Sequence, residues 1–174
     1  MNPLNRQNLE EFVRLAANSV EGDWVLIGGT VLPLLGAGDR ATFDIDIVPV
    51  ADAAQSDLIQ LMEIAEGLGM PVESVNQAGA YFLRKIADFE EHLVLLHEGT
   101  RARIFRPDPT LYISLKVSRL SEADLEDCLS FITFAQEAGE LLERPRLARL
   151  IRSEIRGSES EQRRRRLETL LEAI

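Results

Sequence analysis

The chain has 174 residues, of which 45% are hydrophobic, so it can bury the core of one domain with room for an appendage. A single cysteine excludes an intrachain disulfide and a cysteine-based zinc site, and the absence of any run of about 18 apolar residues excludes a predicted membrane span. The formal net charge of −10 argues against a surface that binds nucleic acid broadly, because such a surface repels phosphates.

The first predicted element is an amphipathic helix over residues 4–18. Its apolar residues recur at helical spacing, and they are Leu4, Leu9, Phe12, Val13, Ala16 and Ala17. The start of the chain lacks a basic region followed by an apolar one, so we expect no signal peptide and a cytoplasmic protein. The apolar run Trp24–Ile27 then ends at Gly28 and Gly29, which predicts a buried strand and a turn where backbone can approach a ligand.

A pair of aspartates lies on the second predicted strand. Thr30–Leu35 is typical of a short helix, a glycine-containing loop follows, and Phe43–Val48 has the period-two pattern of a strand. Side chains alternate faces along a strand, so Asp44 and Asp46 share one face, opposite Phe43, Ile45 and Ile47. Two adjacent carboxylates repel each other unless a cation lies between them, and hard oxygen ligands suit Mg²⁺. The pair therefore predicts a site for Mg²⁺ or Mn²⁺.

The ordered arrangement of these residues resembles the signature of the nucleotidyltransferase superfamily. The residues that carry the resemblance are Gly28-Gly29 followed by Arg40-x-Thr42-x-Asp44-Ile45-Asp46. They are most similar to the abortive-infection type of nucleotidyltransferase toxins and their bacterial relatives. The resemblance implies a minimal nucleotidyltransferase fold. It also implies transfer of a nucleoside monophosphate from an NTP to an acceptor hydroxyl or phosphate, with release of pyrophosphate.

The same resemblance assigns roles to individual residues. Gly28, Gly29 and Thr30 would hold the phosphates of the nucleotide. Asp44 and Asp46 would act as catalytic residues that hold the metal ion. The remaining two residues of the signature would also contact the nucleotide, and they are Arg40 and Thr42.

The middle of the chain predicts one helix and several short strands. The helix follows Asp52, which can cap it, and has one apolar face that ends near Gly67 and Gly69. The predicted strands are Val72–Val75, Tyr81–Ile86, His92–Leu96 and Arg103–Phe105, and Asp108-Pro109 then begins another helix. This order of elements predicts an α/β (α+β) fold, in which helices flank a mixed sheet.

A third carboxylate beside the aspartate pair is harder to identify. Glu90, Glu91 and Glu98 are candidates, but none lies inside a strongly predicted strand. The alternative interpretation is therefore a non-catalytic relative that keeps the nucleotide pocket, or only the scaffold, as a binding or regulatory module.

A second group of charged residues follows later in the chain. It resembles further motifs of the toxins, and its members are Lys116, Arg119, Asp124 and Asp127. The resemblance implies that Lys116 meets the triphosphate and that Asp124 or Asp127 supports this lysine or the acceptor. The alternatives without a functional role are a solvated helix face for Lys116 and a capping box with Ser121 for Asp124.

The C-terminal segment differs in charge from the rest. Residues 1–142 contain ten Lys and Arg against 23 Asp and Glu, a net −13, whereas residues 143–174 contain nine against six, a net +3. Gly139 is predicted to end the preceding helix, whose Cys128 lies on an apolar face, and two helices separated by Gly157-Ser158 follow. We therefore predict a nucleotidyltransferase-like domain over 1–140 and an Arg-rich helical extension over 141–174.

Several partners are compatible with this extension. Its helices could pack on the domain or on a second copy, which would give a homo-oligomer. The run Arg163–Arg166 could instead bind RNA or an acidic partner. The resemblance points to an NTP as substrate and to tRNA or a cognate antitoxin as further partners. An antitoxin-like protein that acts through the charged segment is a third interpretation.

Overall fold

The computed structural model describes residues 5–38 and 42–174, and the chain forms two compact units, Met1–Pro107 and Asp108–Ile174. The helices of unit 1 are α1 Arg6–Ser19, α2 Val31–Leu35, α3 Gln55–Gly67 and α4 Ala80–Arg84. Its strands are β1 Gly22–Ile27, β2 Ile45–Pro49, β3 Val75–Asn76, β4 Leu93–Glu98 and β5 Ala102–Pro107. Short 3-10 turns occupy Gly28–Thr30, Val72–Ser74 and Phe89–His92.

The strands of unit 1 form one mixed sheet in the order β3-β2-β1-β5-β4. Strand β1 lies at its centre, antiparallel to β2 and parallel to β5, while β3 is parallel to β2 and β4 is antiparallel to β5. The predicted fold class, a mixed sheet flanked by helices, is confirmed. Because the last residue of β1, Ile27, pairs with Asp46, the turn that follows β1, residues 28–30, lies beside the start of β2.

The core of unit 1 joins α1 and α3 to the sheet. The predicted helix over residues 4–18 is observed as α1 from Arg6 onward, and Leu4 lies outside the described residues. The other apolar residues of the predicted face are buried with Trp24, Leu26, Ile45 and Ile47. Helix α3 contributes Leu61 and Ala65 to the same cluster. Asp52 was expected to cap this helix, but α3 begins three residues later, at Gln55, and Ala54 occupies its N-cap position.

Two of the predicted strands in the middle of the chain are wrong. Tyr81–Ile86 was expected to be a strand, yet Ala80–Arg84 is a short helix that buries only Leu83. Strand propensity depends on a half-buried pleated surface, and the exposed Tyr81 and Phe82 do not have one. The expected strand Val72–Val75 is largely a 3-10 turn, with pairing to β2 confined to β3.

Unit 2 consists of four helices, α5 Pro109–Val117, α6 Glu122–Ala138, α7 Arg144–Gly157 and α8 Glu161–Ala173. Asp108 caps α5 by accepting a hydrogen bond from the Leu111 amide at 2.8 Å, and Gly139 ends α6 with a φ of +70°, both as predicted. The two predicted C-terminal helices are observed as α7 and α8. They close a core whose fully buried members include Ile113, Cys128, Leu147, Ile151, Leu167 and Leu170.

The predicted division after residue 140 concerns the extent of a functional domain, and it stays a prediction. Helix α6, which precedes that point, and helices α7 and α8, which follow it, share the core of unit 2. Among the helices of the described residues, none has the length and apolar character that a membrane span requires.

Candidate nucleotide and metal site

The turn after β1 requires glycine at Gly28 for two reasons. Its φ is +68°, a left-handed conformation that side chains with a Cβ rarely adopt. A Cβ atom at this position would also lie 2.2 Å from Oδ2 of Asp46, well inside contact distance. The carboxylate of Asp46 therefore packs directly against the backbone of Gly28.

Gly29 faces a different environment. A Cβ atom there would lie 3.7 Å from Oγ1 of Thr42, which is ordinary van der Waals contact. Its backbone is also outside the left-handed region that favours glycine. Because the surrounding fold would accept a larger residue at Gly29, local packing does not explain why this position is glycine.

Thr30 joins the turn to the segment that carries the aspartates. Its side chain is fully buried, and its Oγ1 donates a hydrogen bond to the carbonyl oxygen of Asp44 at 2.8 Å. Thr30 Oγ1 also accepts a hydrogen bond from the amide of Asp46 at 3.3 Å, and Thr42 Oγ1 donates to the carbonyl oxygen of Asp44 at 3.3 Å. Thr30 thus holds the backbone of both aspartates against the 3-10 turn.

The aspartate pair lies at the start of β2. Ile45 and Ile47 are fully buried on the core side, as predicted, while Asp46 is half-buried and Asp44, one residue before the strand, is exposed. Phe43 was expected on the buried face, but it lies outside the strand and its side chain is 43% exposed. One of these carboxylates is held against backbone and the other is open to solvent, and carboxylate oxygens are the type of ligand that Mg²⁺ takes.

No third acid accompanies this pair on the neighbouring strands. In the ladder, Asp46 lies between Ile27 of β1 and Asn76 of β3, so its polar neighbour on the next strand is an amide. Glu98 lies at the end of β4, the far edge strand of the sheet. Within the ranges 5–38 and 42–174, no group of three or more His, Cys, Asp or Glu could hold a metal ion.

One residue of the signature cannot be placed. Arg40, which the resemblance assigns to the nucleotide, lies outside the described residues. The six other signature residues belong to unit 1, where they lie in the turn and at or just before the start of β2. They are Gly28, Gly29, Thr42, Asp44, Ile45 and Asp46.

The second charged group belongs to unit 2 and forms a buried cluster. Nζ of Lys116 donates hydrogen bonds to Oδ1 of Asp124 at 3.0 Å and to Oδ2 of Asp127 at 2.8 Å. All three side chains are buried. A solvated helix face for Lys116, the alternative left open by the sequence, is therefore wrong.

Asp124 has more partners than the other members of this cluster. Arg119 donates to both of its carboxylate oxygens at 2.7 Å, and Ser121 and Asp124 form the predicted capping box of α6. Burial by itself would raise the pKa of Asp124, but the Arg119 hydrogen bonds, the Lys116 charge and the Ser121 hydrogen bonds outweigh it. The pKa of this carboxyl group therefore lies well below its usual value, and Asp124 stays charged.

The family to which these residues belong follows from comparison with known proteins. The family model described as "Nucleotidyltransferase of unknown function (DUF6036)" matches residues 7–172. The chain belongs to this nucleotidyltransferase family. No curated protein and no solved structure matches it. The family match covers the turn, the aspartate pair and the Lys116 cluster, so both charged groups are parts of the nucleotidyltransferase-like sequence.

Two features of this nucleotidyltransferase-like chain are explained by packing. Cys128 is fully buried, as predicted, and burial raises the pKa of its thiol to about 12, so it is not a nucleophile. Arg166 donates to the carbonyl oxygen of Leu120 at 2.7 Å, and Arg163 donates to that of Val117 at 3.0 Å. Half of the Arg163–Arg166 run therefore binds the end of α5 and the turn after it.

The burial of Lys116 was missed in the sequence, although a signal for it was present. Lys116 lies three residues after Ile113 and four after Tyr112, both fully buried, so helical spacing places it on the core side of α5. A lysine on such a face needs carboxylate partners. Asp124 and Asp127, three residues apart on the next helix, were available to supply them.

Proposed function

We propose that the chain transfers a nucleoside monophosphate from an NTP to an acceptor hydroxyl or phosphate. The observation that carries this proposal is the contact between the Asp46 carboxylate and the backbone of Gly28, with Asp44 exposed two residues before it. This contact supports the proposal because carboxylate oxygens suit a cation such as Mg²⁺ and the backbone of a glycine turn can approach phosphates. Membership of a nucleotidyltransferase family supports the same chemistry.

In this proposal the turn binds the triphosphate through its backbone. A Cβ atom at Gly29 would meet only ordinary van der Waals contacts, so packing does not require glycine there. This supports the close approach of a phosphate to the backbone at Gly29. Thr30 contributes by orienting the turn, since its hydroxyl is bonded to β2. Arg40 and Thr42 complete the nucleotide contacts that the resemblance assigns.

Asp44 and Asp46 would hold Mg²⁺ or Mn²⁺. Such an ion, held by these two carboxylates, would supply Lewis-acid stabilisation of the negative charge on the phosphates. The acceptor oxygen forms a bond to the α-phosphorus, the bond between that phosphorus and the bridging oxygen breaks, and pyrophosphate leaves. For a hydroxyl acceptor, the proton is released as the new bond forms. The two aspartates also orient the triphosphate for this in-line displacement.

The proposal also keeps the role that the resemblance gives to the Lys116 cluster. Lys116 would neutralise phosphate charge, and Asp124 and Asp127 would hold its ammonium group in position. The distances of 3.0 and 2.8 Å from Nζ support the holding role of the two acids. RNA, including tRNA, or a protein would supply the acceptor, and a role as the toxin of a toxin–antitoxin pair in the bacterial cytoplasm follows from the resemblance alone.

A non-catalytic nucleotide-binding module is the second candidate. One observation favours it, because the strand neighbour of Asp46 is the amide Asn76 and no third acid stands with the pair among the described residues. Such a protein would bind an NTP and a metal ion without releasing pyrophosphate.

Release of pyrophosphate separates the two candidates. It is measured after purified protein is incubated with each NTP, with Mg²⁺ or Mn²⁺, and with candidate RNA or protein acceptors. The double variant Asp44→Asn/Asp46→Asn should lose both this release and Mn²⁺ binding, measured by calorimetry. Asp52→Asn, at a fully exposed aspartate, is the matched control. NTP binding without pyrophosphate release favours the second candidate, and unchanged Mn²⁺ affinity in the double variant removes the metal site.

A further inference from the structure

The exposed aromatic side chains of the described chain are concentrated near the aspartate pair. The chain has ten aromatic residues, and the three whose side chains are largely exposed are Phe43, Tyr81 and Phe82, at 43%, 63% and 51%. Phe43 precedes Asp44, and Tyr81 and Phe82 begin the short helix that follows β3. Burial of such rings is favourable by about 1.5–3 kcal/mol each, so a ligand that covers neighbouring exposed rings gains binding free energy from them.

The helix that carries Tyr81 and Phe82 is tied to the candidate site. Asn76 is the ladder partner of Asp46, and the chain reaches α4 after only three further residues. Gly79 then packs against Ile27, the last residue of β1, so tightly that a Cβ atom would lie 2.1 Å from Cδ1 of Ile27. Since Ile27 precedes Gly28 and is itself a ladder partner of Asp46, the start of α4 adjoins both parts of the site.

Two cations accompany these rings in an otherwise acidic protein. Nζ of Lys85 lies 4.1 Å from the centroid of the Tyr81 ring, and Arg84, half-exposed, lies 3.9 Å from the fully exposed Asp52. Lys85 makes no ion pair with another described residue. By contrast, Arg101 and Arg103 of the same unit are held by close carboxylate partners. Positive charge beside exposed rings complements a ligand that has both aromatic rings and phosphates.

We infer that Tyr81, Phe82, Arg84 and Lys85 form a surface that binds unpaired bases of a single-stranded nucleic acid acceptor next to the catalytic site. This inference rests on the proposed function. The rings of Tyr81 and Phe82 lie 5.5 Å apart at an interplanar angle of 79°, so they present separate faces and suit successive bases rather than one. A strand has one phosphate per base and so can use both cations, whereas the net charge of −10 disfavours binding of nucleic acid over the surface as a whole.

Binding of a fluorescein-labelled, short single-stranded RNA, followed by fluorescence anisotropy, tests the inference on the full chain. Tyr81→Ala and Phe82→Ala should each weaken RNA binding about tenfold, because stacking of one base contributes about 1–3 kcal/mol. Lys85→Gln should weaken binding and flatten its salt dependence. Ile59→Ala, at an exposed apolar residue on α3, is the matched control and should bind as the wild type does.

Binding of each NTP with Mg²⁺ to the same variants distinguishes the acceptor strand from the nucleotide substrate. We expect the Tyr81 and Phe82 variants to keep wild-type NTP affinity. If NTP affinity falls as much as RNA affinity, the rings stack on the base of the NTP and the inference is wrong. Absence of RNA binding by the wild type, or equal loss in Ile59→Ala, also overturns it. The Asp44→Asn/Asp46→Asn variant should still bind RNA, so failure of the metal site remains a separate result.

Discussion

Gly28 and Gly29 are neighbours in the chain, but backbone conformation and packing require glycine only at Gly28. Replacing Gly28 with alanine should lower the free energy of unfolding by at least about 1–3 kcal/mol, since the left-handed backbone is strained and Asp46 must move. Replacing Gly29 with alanine should leave stability close to that of the wild type but weaken NTP binding. Urea denaturation and calorimetric NTP titration measure the two effects. If Gly29→Ala loses stability in step with binding, the second glycine is also only a structural turn.

Lys116 behaves as a buried charge rather than as a surface residue. Its replacement by alanine leaves two buried carboxylates without their shared cation, which should cost about 3–5 kcal/mol in urea denaturation. The double variant Lys116→Met/Asp127→Leu removes one of those carboxylates together with the lysine, and it should recover part of the loss. Lys85→Ala changes the only other lysine of the chain, which is exposed, and serves as the control.

A loss for Lys116→Ala within about 0.5 kcal/mol of the Lys85 control would contradict this expectation, since that range is typical of surface substitutions. It would mean that the hydrogen bonds from their other partners are enough to stabilise the buried carboxylates of Asp124 and Asp127.

Ionisation of Asp124 makes the free energy of unfolding depend on pH, with lower stability at lower pH. Because its pKa is lowered in the folded protein, its contribution is complete above the ordinary carboxyl pKa, about 3.9, and is lost as pH falls through the lowered folded value. The free energy of unfolding of the wild type should therefore fall as pH drops from about 5 toward about 2, more steeply than that of Asp124→Asn. Urea denaturation across this range measures both slopes, with Asp52→Asn as the control.

Equal slopes for the wild type and Asp124→Asn would show that this carboxyl group titrates alike in the folded and unfolded chain. Carbon NMR of the Asp124 carboxyl group gives the same answer directly, because its signal should not titrate above about pH 3.

At the scale of elements, the two C-terminal helices complete a core that other helices begin. Deleting residues 143–174 removes four fully buried side chains, Leu147, Ile151, Leu167 and Leu170, each worth about 1.5–3 kcal/mol of burial. We expect the truncated chain to aggregate or to melt at a lower temperature than the full chain. The measurement is differential scanning fluorimetry together with size-exclusion chromatography.

A soluble truncated protein with the melting temperature and oligomeric state of the full chain would contradict this role of α7 and α8. A surface variant of the same helices, Arg152→Gln, should leave both quantities unchanged, because Arg152 is exposed. Oligomerisation through these helices stays a prediction.

Elements with long periodic patterns could be predicted from the sequence, and those defined by tertiary context could not. Helix α1 and the strands β1 and β5 follow from their apolar spacing. Tyr81–Ile86 has the aromatic and apolar composition of a strand, but Ala80–Arg84 forms a short helix that buries only Leu83. At the site, the order of Gly28 and Asp46 predicted their proximity, whereas the exposure of Tyr81 and the burial of Lys116 depend on contacts that spacing alone does not specify.

At the scale of the whole molecule, the apolar cores of the two units are built from separate parts of the chain. Each has its own apolar core, and the core of unit 1 draws on residues before Pro107 only. The family match extends across both units, so membership of the nucleotidyltransferase family does not identify either unit alone as the functional domain.

The late position of α8 has a consequence for synthesis on the ribosome. The core of unit 1 can close soon after residue 107 leaves the exit tunnel, but Ile113 and Cys128 wait for Leu167 and Leu170 to emerge. At about 5–20 residues per second, that interval lasts for seconds. During it the nascent helices α5 and α6 expose an apolar face that is the type of surface to which ribosome-associated chaperones bind. The guanidinium group of Arg166 then reaches the Leu120 carbonyl and is among the last groups to complete the unit.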